Sequence, residues 1–185
     1  MNQIQTRDDF AAVPSRRKRL RCWAAAFIAI IAVAAPRKVH AEEAIIKRPG
    51  DHPQYVFEAE PHLLLGFAGP FKEKDKGHLG VGFRGTIVIL NNGFIKTINN
   101  SVGITFGADM FVGEQTLFLP VAMQWNFWLS THWSVFGEPG VGFALKKDVV
   151  HPILMAGGRY HFSDKVALTM RLGYPAISVG VSFFF

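Results

Sequence analysis

The chain has 185 residues, 49% of them hydrophobic and 18% charged, with a formal net charge of +6, and that length allows one domain of ordinary size. Eight of the 20 Lys and Arg residues and two of the 14 acids lie in residues 1–41, so the remainder holds twelve of each. It is near neutral, which removes the compositional case for nucleic-acid binding.

Residues 1–41 run from a basic head (Arg16, Arg17, Lys18, Arg19, Arg21) through an apolar stretch, Trp23 to Ala35, to the small-residue ending Val39-His40-Ala41. This is the order of a secretory signal peptide, with cleavage expected after Ala41. A bilayer-spanning helix needs roughly 20 apolar residues, so a run of 13 does not suffice. The single cysteine, Cys22, falls inside the leader, leaving no disulfide framework and no thiol chemistry. Residues 42–57 follow, with Pro49, Gly50 and Pro53 among charges; they read as a loosely ordered lead-in without a periodic apolar pattern.

From Glu58 to Phe185 the hydrophobic period is two, in eight segments of about ten residues. The first sets Leu63, Leu65 and Phe67 against Glu58, Glu60, His62 and Gly66, and the second sets Leu79, Val81, Phe83, Ile87 and Ile89 against Gly80, Gly82, Arg84 and Thr86. The third opposes Val102, Ile104, Phe106 and Met110 to Gly103, Thr105, Gly107 and Asp109; the fourth alternates Leu117 through Leu129 with Phe118, Ala122, Gln124 and Asn126. In the fifth, Trp133, Val135, Val141, Phe143 and Leu145 oppose Ser134, Glu138, Gly140 and Gly142. The sixth sets Leu154, Ala156, Tyr160 and Phe162 against Met155, Gly157, Arg159 and His161. The seventh opposes Val166, Leu168, Met170 and Leu172 to Thr169 and Arg171, and the eighth Ile177, Val179, Val181, Phe183 and Phe185 to Ser178, Gly180 and Ser182. Pro120 and Pro139 fall within the fourth and fifth segments, where each removes a ladder donor and a bulge is expected.

Alternation is shared with soluble sandwiches and lipocalin-like barrels; the placement of charge separates them. Every lysine beyond residue 41 lies in the lead-in or a connection, and the apolar face of all eight segments is uncharged. A solvated sheet face would use lysine freely, whereas Lys or Arg facing lipid costs roughly 2–4 kcal/mol at mid-membrane. Backbone groups in lipid must be satisfied internally, so such a sheet closes, and eight strands permit closure. The expected fold is therefore an all-β, eight-stranded antiparallel transmembrane barrel over residues 58–185.

The closing segment from Ala176 to Phe185 carries apolar residues at Ile177, Val179, Val181, Phe183 and Phe185. It resembles the final strand of bacterial outer-membrane proteins. With the eight segments, the chain is similar to the small barrels of the OmpA transmembrane-domain and OmpX type. The resemblance implies recognition of those five residues by the barrel-assembly machinery, residence in the outer membrane of a Gram-negative cell, and both chain ends in the periplasm. Outer-membrane lipid and the assembly machinery are the expected partners; nucleic acid is not, and a monomer is expected. The connections at the opposite end, around Lys72–Lys76, Gly113–Gln115, Lys146–Val150 and Pro175, are short, which argues against an adhesin.

The inward face carries Glu58, Glu60, His62, Arg84, Asp109, Glu138, Arg159 and Arg171. Buried charges pair, so an internal salt-bridge network is expected, with Glu138 beside Arg159 and Arg84 diagonal to Asp109, and with Phe118, Trp128, Phe136 and Ile153 filling space. The histidines beyond the leader are scattered without metal-ligand spacing, no Gly-x-Ser-x-Gly elbow is present, and Gly80, Gly82 and Gly85 precede no helix pattern. No enzyme activity, cofactor or metal is expected. A structural or interaction role in the envelope follows, with a narrow porin-like pore, an outer-membrane lipid-modifying enzyme using a rim serine and histidine, and a soluble lipocalin-like binding barrel as alternatives.

Overall fold

In a computed structural model of the chain, the described residues are 42–68, 78–112, 117–145 and 149–185. The expected leader lies outside them, as do most of the short connections noted above. Eight strands form: β1 (Phe57–Gly66), β2 (His78–Leu90), β3 (Asn100–Phe111), β4 (Leu117–Trp128), β5 (Trp133–Ala144), β6 (Val149–Ser163), β7 (Val166–Tyr174) and β8 (Ala176–Phe184). Each pairs antiparallel with its sequence neighbours, and β1 pairs with β8, so the sheet is a closed barrel without an edge.

Alternation decides which residues point inward, because successive side chains leave opposite faces of a strand. In β8 the burial pattern alternates strictly from Ala176 to Phe184. The strands contain seven Asp, Glu, Lys or Arg residues, and all seven are 6% exposed or less. The opposite face is apolar and open: Leu63 is 62% exposed, Leu154 68% and Leu172 63%. Near one rim this outer face carries linked aromatic rings, with Tyr160 edge-on to both Trp133 and Phe162 at 5.1 and 5.3 Å.

Pro120 and Pro139 produce no bulge. Register is constant along β4–β5, from Phe118 opposite Ala144 to Trp128 opposite Ser134, and along β5–β6 through Pro139 opposite Leu154. The missing N–H interrupts pairing instead: the β3–β4 ladder skips from Phe106–Val121 to Asp109–Phe118, and the β4–β5 ladder from Ala122–Gly140 to Trp125–Gly137. The register shifts lie elsewhere, between Val88 and Leu90 on β2 and between His161 and Ser163 on β6. Val102 also departs from expectation. It belongs to the outward set yet is fully buried, paired between Leu90 and Trp125 where the 91–99 connection brings Phe94 edge-on to Trp125 at 5.5 Å.

The lead-in is not loose. Ile45 and Tyr55 are buried in a cluster with Trp128, Ala167 and Phe184, and the segment makes backbone bonds to two connections. Ile45 N donates to Leu129 O at 2.9 Å, Asn99 N donates to Ile46 O at 2.7 Å, and the Asn99 side chain donates to Asp51 O at 2.8 Å. Its prolines and short apolar content hide any period, and single anchors such as Ile45 leave no repeating pattern to read.

Candidate functional site

The barrel interior has three layers. At one end Leu64, Phe111, Phe118, Ala144, Ile153, Met155 and Ala176 form an apolar cluster. At the other, the lead-in closes the mouth with packed rings: His52 stacked on Trp128 at 5.0 Å, Trp128 tilted against His161 at 4.8 Å, His161 stacked on Phe184 at 5.4 Å, and Phe184 tilted against Tyr55 at 4.8 Å. Between them lies the polar layer, to which every strand contributes.

That layer is a hydrogen-bonded ring. Arg159 on β6 donates to both carboxylate oxygens of Glu58 on β1, at 2.7 and 2.8 Å, and to Asn126 Oδ1 on β4 at 2.5 Å. Asn126 donates to Gln124 Oε1 at 3.1 Å, and Gln124 donates to Glu138 Oε1 on β5 at 2.7 Å. Arg171 on β7 donates through Nε to Glu138 Oε2 at 2.9 Å and through Nη1 to Glu60 on β1. Ser182 on β8 closes the circuit, its Oγ 2.7 Å from Glu58 and 3.1 Å from Glu60. The Phe136 ring sits against both guanidiniums, 4.3 Å from that of Arg159 and 5.1 Å from that of Arg171.

The two remaining strands supply a satellite. Arg84 on β2 grips Asp109 on β3 bidentately at 2.6 and 2.8 Å, and His62 Nε2 lies 3.1 Å from the same carboxylate while its other nitrogen lies 3.7 Å from Glu60. Glycines opposite these groups make the room: a Cβ on Gly82 would meet Asp109 and His62, and one on Gly142 the Phe118 ring.

All eight inward residues named from sequence therefore lie in the lumen, and Arg84 meets Asp109 as expected. The expected Glu138–Arg159 pair does not form. Register places Glu138 opposite Met155 and Arg159 opposite Ser134, so these two lie far along the ladder from one another. Arg159 turns across the lumen to Glu58, and Glu138 takes Arg171. Sequence reading missed Asn126, Gln124 and Ser182 as ring members; their alternation with outward apolar residues was the available signal. The five alternating residues of the closing strand, Ile177, Val179, Val181, Phe183 and Phe185, all lie on the outer face.

A serine and a histidine do meet near the closed mouth. Ser134 Oγ is 2.9 Å from His161 Nε2, and the same histidine opens the sequence His161-Phe162-Ser163. Ser134 and His161 are 0% and 2% exposed, His161 being one of the mouth-closing rings, while Ser163 is exposed and its Oγ accepts from Lys165 N at 3.3 Å. The pair is a buried contact, with the His161 ring packed between Trp128 and Phe184. Among the described residues no cluster of three or more His, Cys, Asp or Glu could hold a metal ion.

Outside the strands, Glu42 anchors the lead-in to the β4–β5 turn. Its carboxylate accepts from Ser130 Oγ and His132 N, each at 2.9 Å, lies 2.6 Å from His132 Nδ1, and also accepts from Thr131. Burial pushes this carboxyl up, but the hydrogen bonds from Thr131, His132 and Ser130 outweigh it and bring it down to about 2.

A chain in which every strand charge is turned inward and paired, and the outward face is apolar along nearly all of its length, has the side-chain sorting of a barrel that stands in hydrocarbon. Solved transmembrane β-barrels share the barrel fold. A designed transmembrane β-barrel matches with TM-score 0.53 at 14% identity, over 76% of this chain and 99% of its own. This is a transmembrane β-barrel fold. The solution structure of the designed barrel TMB2.3 matches with TM-score 0.54 at 12% identity, over 73% and 97% of the two chains. The outer-membrane protein Ail of Yersinia pestis, solved in a phospholipid nanodisc, matches at 12% identity over 69% of this chain and 99% of its own, with TM-score 0.38. No family model matches the chain, and neither does any curated protein.

Proposed function

We propose that this chain is an outer-membrane β-barrel protein with a structural or interaction role in the cell envelope, its interior plugged by the salt-bridge network and its outer face in lipid. The observation that carries the reading is the complete segregation of charge: seven strand charges inside, none outside. Apolar side chains exposed over the whole circumference of a barrel have no place in water, where contiguous patches above a few hundred Å² mark a contact surface. The lumen is closed three times over, by the apolar cluster, the polar ring and the lead-in stack, which argues against the narrow-pore alternative. The serine–histidine contact of the lumen, Ser134–His161, is buried, which does not favour the lipid-modifying alternative.

Even strand number puts both ends on one side of the barrel, and the resemblance to OmpA- and OmpX-type barrels makes that side the periplasm, reached after removal of residues 1–41 and insertion by the assembly machinery. The test is fractionation of the native cell followed by a gel of the outer-membrane fraction with and without heating. A folded barrel runs faster unheated and shifts on boiling. Recovery of the protein in the soluble fraction, monomeric without detergent, refutes the reading.

A further inference from the structure

Beside the closed mouth a groove of about 580 Å³ opens between the lead-in and the β7–β8 wall, within the size range of small-molecule sites. Its floor is the Tyr55–Phe184 ring pair. One lip is Phe183 and Phe185, which belong to the outer apolar face at 39% and 69% exposure, so the groove is continuous with the surface proposed to meet lipid. Two charged residues line it, Asp164 and Lys165, adjacent and opposite in sign. They sit on the β6–β7 turn, which is tied to the wall by Phe184 N donating to Lys165 O at 2.9 Å.

An occupant must therefore enter from the apolar side, present acyl-like surface to the phenyl rings, and carry a cation and an anion a short distance apart. Aromatic rings gathered at a rim favour the headgroup level of a bilayer, where such a molecule is abundant. We propose that this groove seats one zwitterionic phospholipid whose ammonium faces Asp164 and whose phosphate faces Lys165. The inference rests on the membrane reading above. A purely anionic lipid satisfies Lys165 but sets its charge beside Asp164, so the pair selects for a headgroup bearing both signs.

The test uses the full chain purified from its native membrane and reconstituted in phosphatidylglycerol vesicles containing a trace of phosphatidylethanolamine with a photoactivatable acyl chain. Cross-links are expected to concentrate on residues 53–55, 164–166 and 183–185, and to be competed by unlabelled phosphatidylethanolamine. The double variant Asp164→Asn, Lys165→Gln removes both charged contacts and is expected to lower labelling there by at least about tenfold, while labelling near Ile104 stays unchanged. The unheated gel mobility of the variant checks that the barrel is intact. Even labelling around the barrel, insensitive to the variant, overturns the groove assignment while leaving the membrane reading standing. Failure of the protein to float with the vesicles overturns both.

Discussion

Replacing Arg171 by methionine is the sharpest test of the lumen network. Arg171 is 2% exposed and holds two carboxylates at once, Glu138 through two nitrogens at 2.9 and 3.3 Å and Glu60 through a third. Methionine fills much of the volume but leaves both acids buried without their cation. Breaking a buried pair by removing one partner costs about 3–5 kcal/mol, most of it the penalty of the stranded charge. The variants are refolded into lipid vesicles and unfolded in urea, followed by tryptophan fluorescence and by heat-shifted mobility. With an m-value of about 2 kcal/mol/M, a loss of about 4 kcal/mol moves the midpoint down by about 2 M. The triple variant Arg171→Met, Glu60→Gln, Glu138→Gln removes the stranded charges and is expected to recover most of the loss, since neutral amides can hydrogen-bond to one another. A single variant that costs less than about 1 kcal/mol, or a triple variant no more stable than the single, refutes the claim that charge pairing holds this interior.

Ile104→Lys places an ammonium at an outward position in the middle of β3 and is expected to cost about 2–4 kcal/mol of stability in vesicles by the same urea assay; a negligible cost means that this face meets water. Glu42 contributes stability that is fully present above its ordinary value of 4.5 and is lost as pH falls toward its folded value of about 2, because the carboxylate, and not the acid, accepts the turn's hydrogen bonds. Protection of the Ile45 amide, its exchange taken relative to the intrinsic rate at the same pH, should accordingly fall between those pH values in the native chain, whereas Glu42→Gln should show low protection at both. Gly93→Ala is expected to destabilise by at least about 1–2 kcal/mol, since Gly93 has φ +45° and a Cβ there would strike the Asn100 amide that organises the 91–99 connection; thermal unfolding measures it.

Much of the fold was legible because parity is a local property. Whether Glu60 or Arg171 points inward follows from counting residues along one strand, and no knowledge of the neighbour is needed. The same counting placed Leu63 and Leu172 outside, and the Arg84–Asp109 contact followed from a hairpin whose two strands are consecutive. Contacts across the lumen obey no such count. Arg159 reaches Glu58, 101 residues away, because closure brings β1 against β8 and turns β6 to face them.

Residues 1–185 by themselves thus determined strand number, the sorting of side chains between the two faces and the exclusion of charge from one of them. Tertiary structure decided which acids Arg159 and Arg171 take, where the register slips and how the mouth is closed. Pairing depends on the stagger with which a barrel shuts, and that stagger belongs to all eight strands at once. The lead-in shows the same limit from the other side: Glu42, Ile45 and His52 dock one by one onto partners that exist only after the barrel has formed.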